Sequence, residues 1–296
     1  MANNDGVEAG SDLVDPTLEN TISFFCRHLV SLAGSYQPLD SSGEAIGEAG
    51  FFSFSGFVLS VRDTWHLVTA GHILKDLDKK TQNKEVKLTG CLLIDNFGLN
   101  VVSHTPIPFD YDNSSRYYID DKADGLDFGL IALRPYYRRL LEVNGIVPVS
   151  EENWIYQPSI KFEHYIMLGL PTQFISRDIR ENEITTSISP TMIGVTKLED
   201  PPQDLPQTTF RRLVAKINAP LLVNDIDGMS GGPILGFSKE KGGLMYWIVA
   251  IQSSWIPQKK IIFGCPVPVF AGLVEIALQN YEASLEGQEQ ETLEEE

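Results

Sequence analysis

The stretch Asp227-Gly228-Met229-Ser230-Gly231-Gly232-Pro233 holds a serine with glycine close on both sides. A serine that attacks a carbonyl needs its Oγ exposed on a tight turn. It also needs backbone N–H groups aimed at the oxyanion that develops. Glycine suits such a turn because it tolerates positive φ and adds no side chain near a substrate. A plain Gly-Ser-Gly turn between two strands would use the same residues, so the reading depends on partners elsewhere in the chain.

Two partners stand upstream. Trp65-His66-Leu67-Val68-Thr69-Ala70-Gly71-His72 reads as a strand running into Thr-Ala-Gly, with a histidine immediately after. Serine is a poor nucleophile at neutral pH, and a base with a pKa near 7 activates it. Asp124-Gly125-Leu126-Asp127-Phe128-Gly129-Leu130-Ile131-Ala132-Leu133 places an aspartate at the head of an apolar strand. A carboxylate there can hold the imidazole tautomer and stabilise the imidazolium. Asp124 is the rival position, but Asp127 directly abuts the strand. The chain order is His, Asp, Ser.

Together these blocks resemble the chymotrypsin/trypsin-like serine peptidase family, including its disulfide-poor bacterial Deg-like members without a PDZ module, over roughly residues 50 to 282. Phe54-Ser55-Gly56-Phe57-Val58 resembles the family strand before the histidine hairpin, and Gly169-Leu170-Pro171 its turn in the second barrel. Ala250-Ile251-Gln252-Ser253 resembles the strand that pairs with substrate and walls the primary specificity pocket. The resemblance implies an all-β fold: two six-stranded antiparallel β-barrels, a triad in the cleft between them, and a C-terminal helix. It implies a serine endopeptidase with His72 as general base, Asp127 orienting it, and Ser230 as nucleophile. The backbone N–H groups of Gly228 and Ser230 would form the oxyanion hole. Asn224, Asp225, Ser253 and Trp255 fall at expected substrate-binding positions. The chemistry needs no cofactor and no metal, and the implied partner is a protein or peptide substrate. The alternative is a catalytically silent peptide-binding module on the same fold.

Three departures from the family pattern stand out. Met229 sits where secreted digestive enzymes carry an aspartate that receives a newly cut N-terminus, so activation by N-terminal cleavage is not expected. Asn224 replaces the aspartate that gives trypsin its preference for basic side chains. Trp255 falls where a small residue often keeps the pocket mouth open.

Composition limits the other classes. The chain has 296 residues, of which 43% are hydrophobic, enough for one large domain or two small ones. Its formal net charge is −17, which disfavours nucleic acid and anionic membrane as partners. Three cysteines without tight spacing argue against a disulfide framework or a zinc site and fit a reducing compartment. The first twenty residues carry five acidic side chains and no Lys or Arg, so no secretory signal is read there and the expected location is cytoplasmic. His28, His66, His104 and His164 show no metal-ligand spacing. Composition does not address oligomeric state.

Composition predicts an acidic disordered arm over 1–21 and an acidic tail over 286–296; the many short strands between them suggest an all-β sandwich or barrel, and the resemblance implies a first barrel over 22–135 and a second barrel with the helix over 136–285. Residues 22–32 show helix-like apolar spacing, with a strand as the other option. A hairpin is expected from 51–61 and 65–68 around a turn at 62–64. Further strands are expected at 86–94, 117–119, 128–133, 165–168, 185–195, 213–217, 233–237, 245–253 and 260–264. Tyr136-Tyr137 beside Arg138-Arg139 reads as a linker or barrel surface, and helical patterning returns only at 269–285.

Overall fold

The computed structural model describes residues 18–95, 106–155, 161–180, 183–218, 225–240, 243–276 and 278–279. The fold is mostly β with few helices. The first half contains strands β1 (Ser31–Pro38), β2 (Gly50–Phe54), β3 (Phe57–Val61), β4 (Thr64–Thr69), β5 (Val86–Ile94), β6 (Ile107–Pro108), β7 (Arg116–Asp121) and β8 (Leu126–Ala132). They form two four-stranded sheets, ordered β2-β1-β5-β6 and β3-β4-β8-β7. Val30, Leu32, Leu67, Leu93 and Ile131, all fully buried, belong to the core of this half.

The second half contains β9 (His164–Gly169), β10 (Ile175–Arg180), β11 (Glu183–Ile188), β12 (Thr191–Lys197), β13 (Leu213–Ile217), β14 (Pro233–Glu240), β15 (Gly243–Ile256) and β16 (Ile261–Pro266). Six of these close into a barrel in the order β12-β13-β16-β15-β14-β9, while β10 and β11 form a separate hairpin. A further core joins the halves. It packs Phe57, Val68, Leu126 and Phe128 against Leu168, Leu235, Phe237 and Ile251. The histidine and serine blocks of the two halves therefore approach each other across a continuous apolar seam.

Four α-helices lie among the described residues: α1 (Leu18–Cys26), α2 (Gly71–Gln82), α3 (Pro135–Val143) and α4 over 267–276. The expectation that helical pattern returns only near residue 269 is corrected by α2 and α3. In α2 the buried positions Ile73, Leu74 and Leu77 have helical spacing, but Gly71-His72 follows the preceding strand without a capping side chain. The linker reading of Tyr136-Tyr137 is corrected too. Both lie in α3, where Tyr137 is buried against Phe109 and its hydroxyl accepts the Asp110 N–H at 2.9 Å. Pro135 at the first helical turn starts α3.

The stretch 22–32 contains both options in turn: α1 ends at Cys26 and β1 begins at Ser31. Phe25 of α1 meets Phe237 and Tyr246 of the second half edge-on, so the N-terminal helix ties the two halves together. The expected strand at 51–61 is two strands, because Ser55-Gly56 carries the chain from one sheet to the other. The hairpin is β3–β4, with Val61 opposite Thr64. Its two-residue loop, Arg62-Asp63, has φ of 46° and 64°, the left-handed pair that a tight hairpin favours. The expected strand at 185–195 is likewise divided, between β11 and β12. The far end of the expected C-terminal helix, past residue 279, and both acidic termini lie outside the described residues.

Candidate active site

α2 begins beside β7 and β8. A Cβ on Gly71 would lie 1.9 Å from the Ile119 carbonyl oxygen, so only glycine lets the helix start this close to the sheet. Its N-cap, Ala70, provides no side-chain hydrogen bond. The carboxylate of Asp127, on β8, fills that role. Its Oδ1 accepts the His72 backbone N–H at 2.9 Å, while its Oδ2 accepts the ring Nδ1–H at 2.8 Å. One side chain thus satisfies an orphan amide of the helix start and fixes the imidazole. This tautomer leaves Nε2 as a proton acceptor, and His72 lines the cleft.

Burial pulls the His72 pKa down, but the Asp127 hydrogen bond and the charges of Asp127, Asp120 and Asp76 outweigh it. The net shift is upward from the ordinary value of 6.5. The imidazole is 36% exposed and Asp127 only 13%, so the ring meets solvent far more than its partner does. Asp124, the rival position, stays in the turn before β8. Its own N–H is bound by Asp121 Oδ1 at 3.0 Å.

The Ser230 turn is built from alternating amides. Those of Met229, Gly231 and Gly232 donate to Ile226, Gln252 and Met229 carbonyls at 3.0, 2.8 and 3.0 Å. The amides of Gly228 and Ser230 have no acceptor among the described residues. Gly228 has φ of 90°, and a Cβ there would lie 2.5 Å from Thr172 Oγ1. The Asp227 carbonyl accepts the Thr172 N–H at 2.7 Å. In a trans peptide the C=O and N–H point opposite ways, so this bond turns the Gly228 N–H away from Thr172.

Ser55 locks the same turn from the other half. Its buried Oγ donates to the Gly228 carbonyl at 2.6 Å and accepts the Leu170 N–H at 2.8 Å. Thr69 Oγ1 in turn donates to the Ser55 carbonyl at 2.8 Å. Neither Ser55 nor Thr172 was identifiable from residue type. Ser55 lies inside the Phe-Ser-Gly-Phe block and Thr172 directly follows Gly169-Leu170-Pro171, so each motif carried an unassigned polar group.

His72, Gly228, Ser230 and Thr172 line one cleft of about 340 Å³. The Ser230 hydroxyl donates to the Ser253 carbonyl at 3.2 Å, on the β15 side, rather than to His72. Of the other expected substrate-binding positions, Asn224 lies outside the described residues. Asp225 is exposed, and its Oδ1 accepts the Asp227 N–H at 2.9 Å. Trp255 Nε1 donates to Asp227 Oδ1 at 3.3 Å, which holds the indole beside the serine turn. Met229 is fully buried in the core of the second half's barrel, an apolar setting with no place for an ion pair.

The remaining titratable groups have structural surroundings. His28 Nδ1 lies 2.6 Å from the Val147 carbonyl and Nε2 lies 3.0 Å from the Tyr246 hydroxyl. The three cysteines are free and buried, and burial pushes the Cys26 thiol up to about 12. No cluster of three metal-ligating side chains occurs among the described residues, and none of the described helices is long and apolar enough to cross a membrane. His104 lies outside the described residues.

With the Gly228 amide as an oxyanion donor, Gly228→Ala is expected to lower kcat about 10²- to 10³-fold, the usual cost of losing one such donor. The added Cβ would push against Thr172 and Leu170 and turn the peptide. Ester turnover normalised to correctly folded protein checks this; an unchanged kcat would remove Gly228 from the site.

No family model matches this chain, and no curated protein matches it. Among solved structures it is similar to the protease Anisep from Arthrobacter nicotinovorans, at 12% identity over 81% of this chain and 90% of that one, with a TM-score of 0.42. It is also similar to the thermostable serine protease AL20 from an extremophilic microorganism, at 13% identity over 79% and 90% of the two chains, with a TM-score of 0.43. Function has to be read from the site itself.

Proposed function

We propose that this chain is a trypsin-like serine endopeptidase, with Ser230 as nucleophile, His72 as general base and acid, and Asp127 as its orienting carboxylate. The observation that carries this is the pairing of two half-sites in one cleft. A carboxylate-held imidazole comes from the first half. From the second comes a serine whose own amide and that of Gly228 have no acceptor among the described residues.

The reaction starts with Ser230 Oγ rotating from the Ser253 carbonyl toward His72 Nε2. As Oγ bonds to the scissile carbonyl carbon, its proton passes to Nε2. The carbonyl oxygen becomes an oxyanion facing the Gly228 and Ser230 amides. Collapse breaks the C–N bond, and the leaving amine takes the proton from Nε2. The acyl group stays as an ester on Ser230. A water then gives a proton to Nε2 and attacks that ester. Collapse of the second intermediate releases the acid and returns the proton to Ser230 Oγ. Asp127 stabilises the imidazolium in both halves of the cycle.

The direction of the Ser230 hydroxyl favours one other reading, a silent peptide-binding cleft. Cleavage of a mixed peptide library separates the two. The endopeptidase reading expects new internal termini with the wild-type chain and none with Ser230→Ala purified identically. Equal cleavage by both, or by neither while both are folded, contradicts it.

The pH dependence follows from His72. It must be neutral to accept the Ser230 proton, and its pKa lies above 6.5. The acid limb of kcat/KM is therefore expected above pH 6.5, with activity falling as pH drops through it. The His72–Asp127 ion pair stabilises the fold in the opposite sense. Its contribution is fully present below the unfolded pKa and is lost as pH rises through the higher folded value. A pH–rate profile with its acid limb below 6.5 would contradict this balance.

A further inference from the structure

The cleft continues past Ser230 and His72 onto an aromatic shelf. Tyr36 of β1, Phe52 and Phe54 of β2, and Leu77 of α2 line it, with the exposed Asp76 and Lys80 at its rim. Gly50, Phe52 and Phe54 share one face of β2, because side chains alternate along a strand. Opposite them in register stand Tyr36, Gly34 and Leu32 of β1. A Cβ on Gly34 would lie 2.6 Å from the Phe52 ring, and one on Gly50 would lie 2.2 Å from the Tyr36 ring. Each ring therefore lies against bare backbone. The Phe52 and Phe54 rings stack with centroids 5.2 Å apart and planes 21° from parallel. All three aromatic side chains remain partly exposed, so apolar surface stands open beside the proposed nucleophile.

The chemistry assigns a side to this shelf. The departing amine takes its proton from His72, so the substrate beyond the scissile bond has to run past the imidazole. Ser253 and β15 lie against Ser230 on the acyl side. Ile73 and Leu77, on the helix that carries His72, lead from the imidazole to the shelf.

We propose that this shelf binds a large apolar side chain, aromatic or aliphatic, carried by the first substrate residue after the cleaved bond. This rests on Ser230 being the nucleophile. The preference is expected to be about tenfold over glycine, because burying part of such a side chain on the shelf removes apolar area from water.

Acyl transfer tests it with the full chain. The enzyme is acylated from a small activated ester, and phenylalanine amide, leucine amide, glycine amide and aspartate amide compete with water for the acyl group. The expected result is transfer to phenylalanine and leucine amides about tenfold above glycine amide. Phe52→Ser should bring that ratio close to one. The wild-type ratio is a sufficient test should that variant fail to fold. Ester hydrolysis with equal transfer to all four amides overturns the shelf alone, as does a wild-type ratio that survives Phe52→Ser. Absence of ester hydrolysis by the folded chain overturns both the nucleophile assignment and the shelf.

Discussion

Asp127→Asn is expected to lower kcat about 10⁴-fold while leaving the fold intact. An asparagine carbonyl oxygen can still accept the His72 backbone N–H, so the start of α2 keeps its hydrogen bond. Its amide N–H₂, however, would face Nδ1, which now donates to Oδ2. The imidazole would then carry its proton on Nε2, where Ser230 needs an acceptor. Asp124→Asn should do far less. The charges that act on the imidazole are those of Asp127, Asp120 and Asp76. Measuring kcat and thermal midpoint for both variants checks the assignment, and a crippled Asp124→Asn beside a mild Asp127→Asn would refute it.

The second large effect is His72→Ala, expected to cost about 10⁶-fold in kcat. Residual activity above the uncatalysed rate would come from the Gly228 and Ser230 amides and from substrate positioning alone. Combining it with Ser230→Ala should cost little more, because the two residues act as one unit. A His72→Ala enzyme within tenfold of wild type would mean that another base serves Ser230.

The three motif blocks made most of the site legible, for a local reason. A glycine-flanked serine turn, a histidine after a strand and an aspartate heading a strand each carry their geometry in adjacent residues. Hence Asp127 could be preferred over Asp124 from its contact with the strand alone. What was not legible is what neighbouring residues do not encode. Helix α2 lacks an N-cap side chain because its cap comes from Asp127, 55 residues away in sequence. Ser55 and Thr172 act on a turn more than 50 residues distant, so the role of Thr172 appears only when the second half folds and that of Ser55 only when the halves dock. The two-strand division of 51–61 rests on Ser55-Gly56, a turn signal masked by the aromatic and β-branched residues on both sides of it. The first half's two sheets, in place of a single closed barrel, depend on pairings between strands far apart in the chain.

The central claim is that Ser230 is a nucleophile activated by His72. The most direct measurement is labelling with a fluorophosphonate probe, followed by peptide mapping of the modified residue by mass spectrometry. The account predicts one probe per chain, located on Ser230, with labelling lost in Ser230→Ala and slowed by orders of magnitude in His72→Ala. Labelling at another residue, equal labelling of Ser230→Ala, or none on the folded wild-type chain would contradict it.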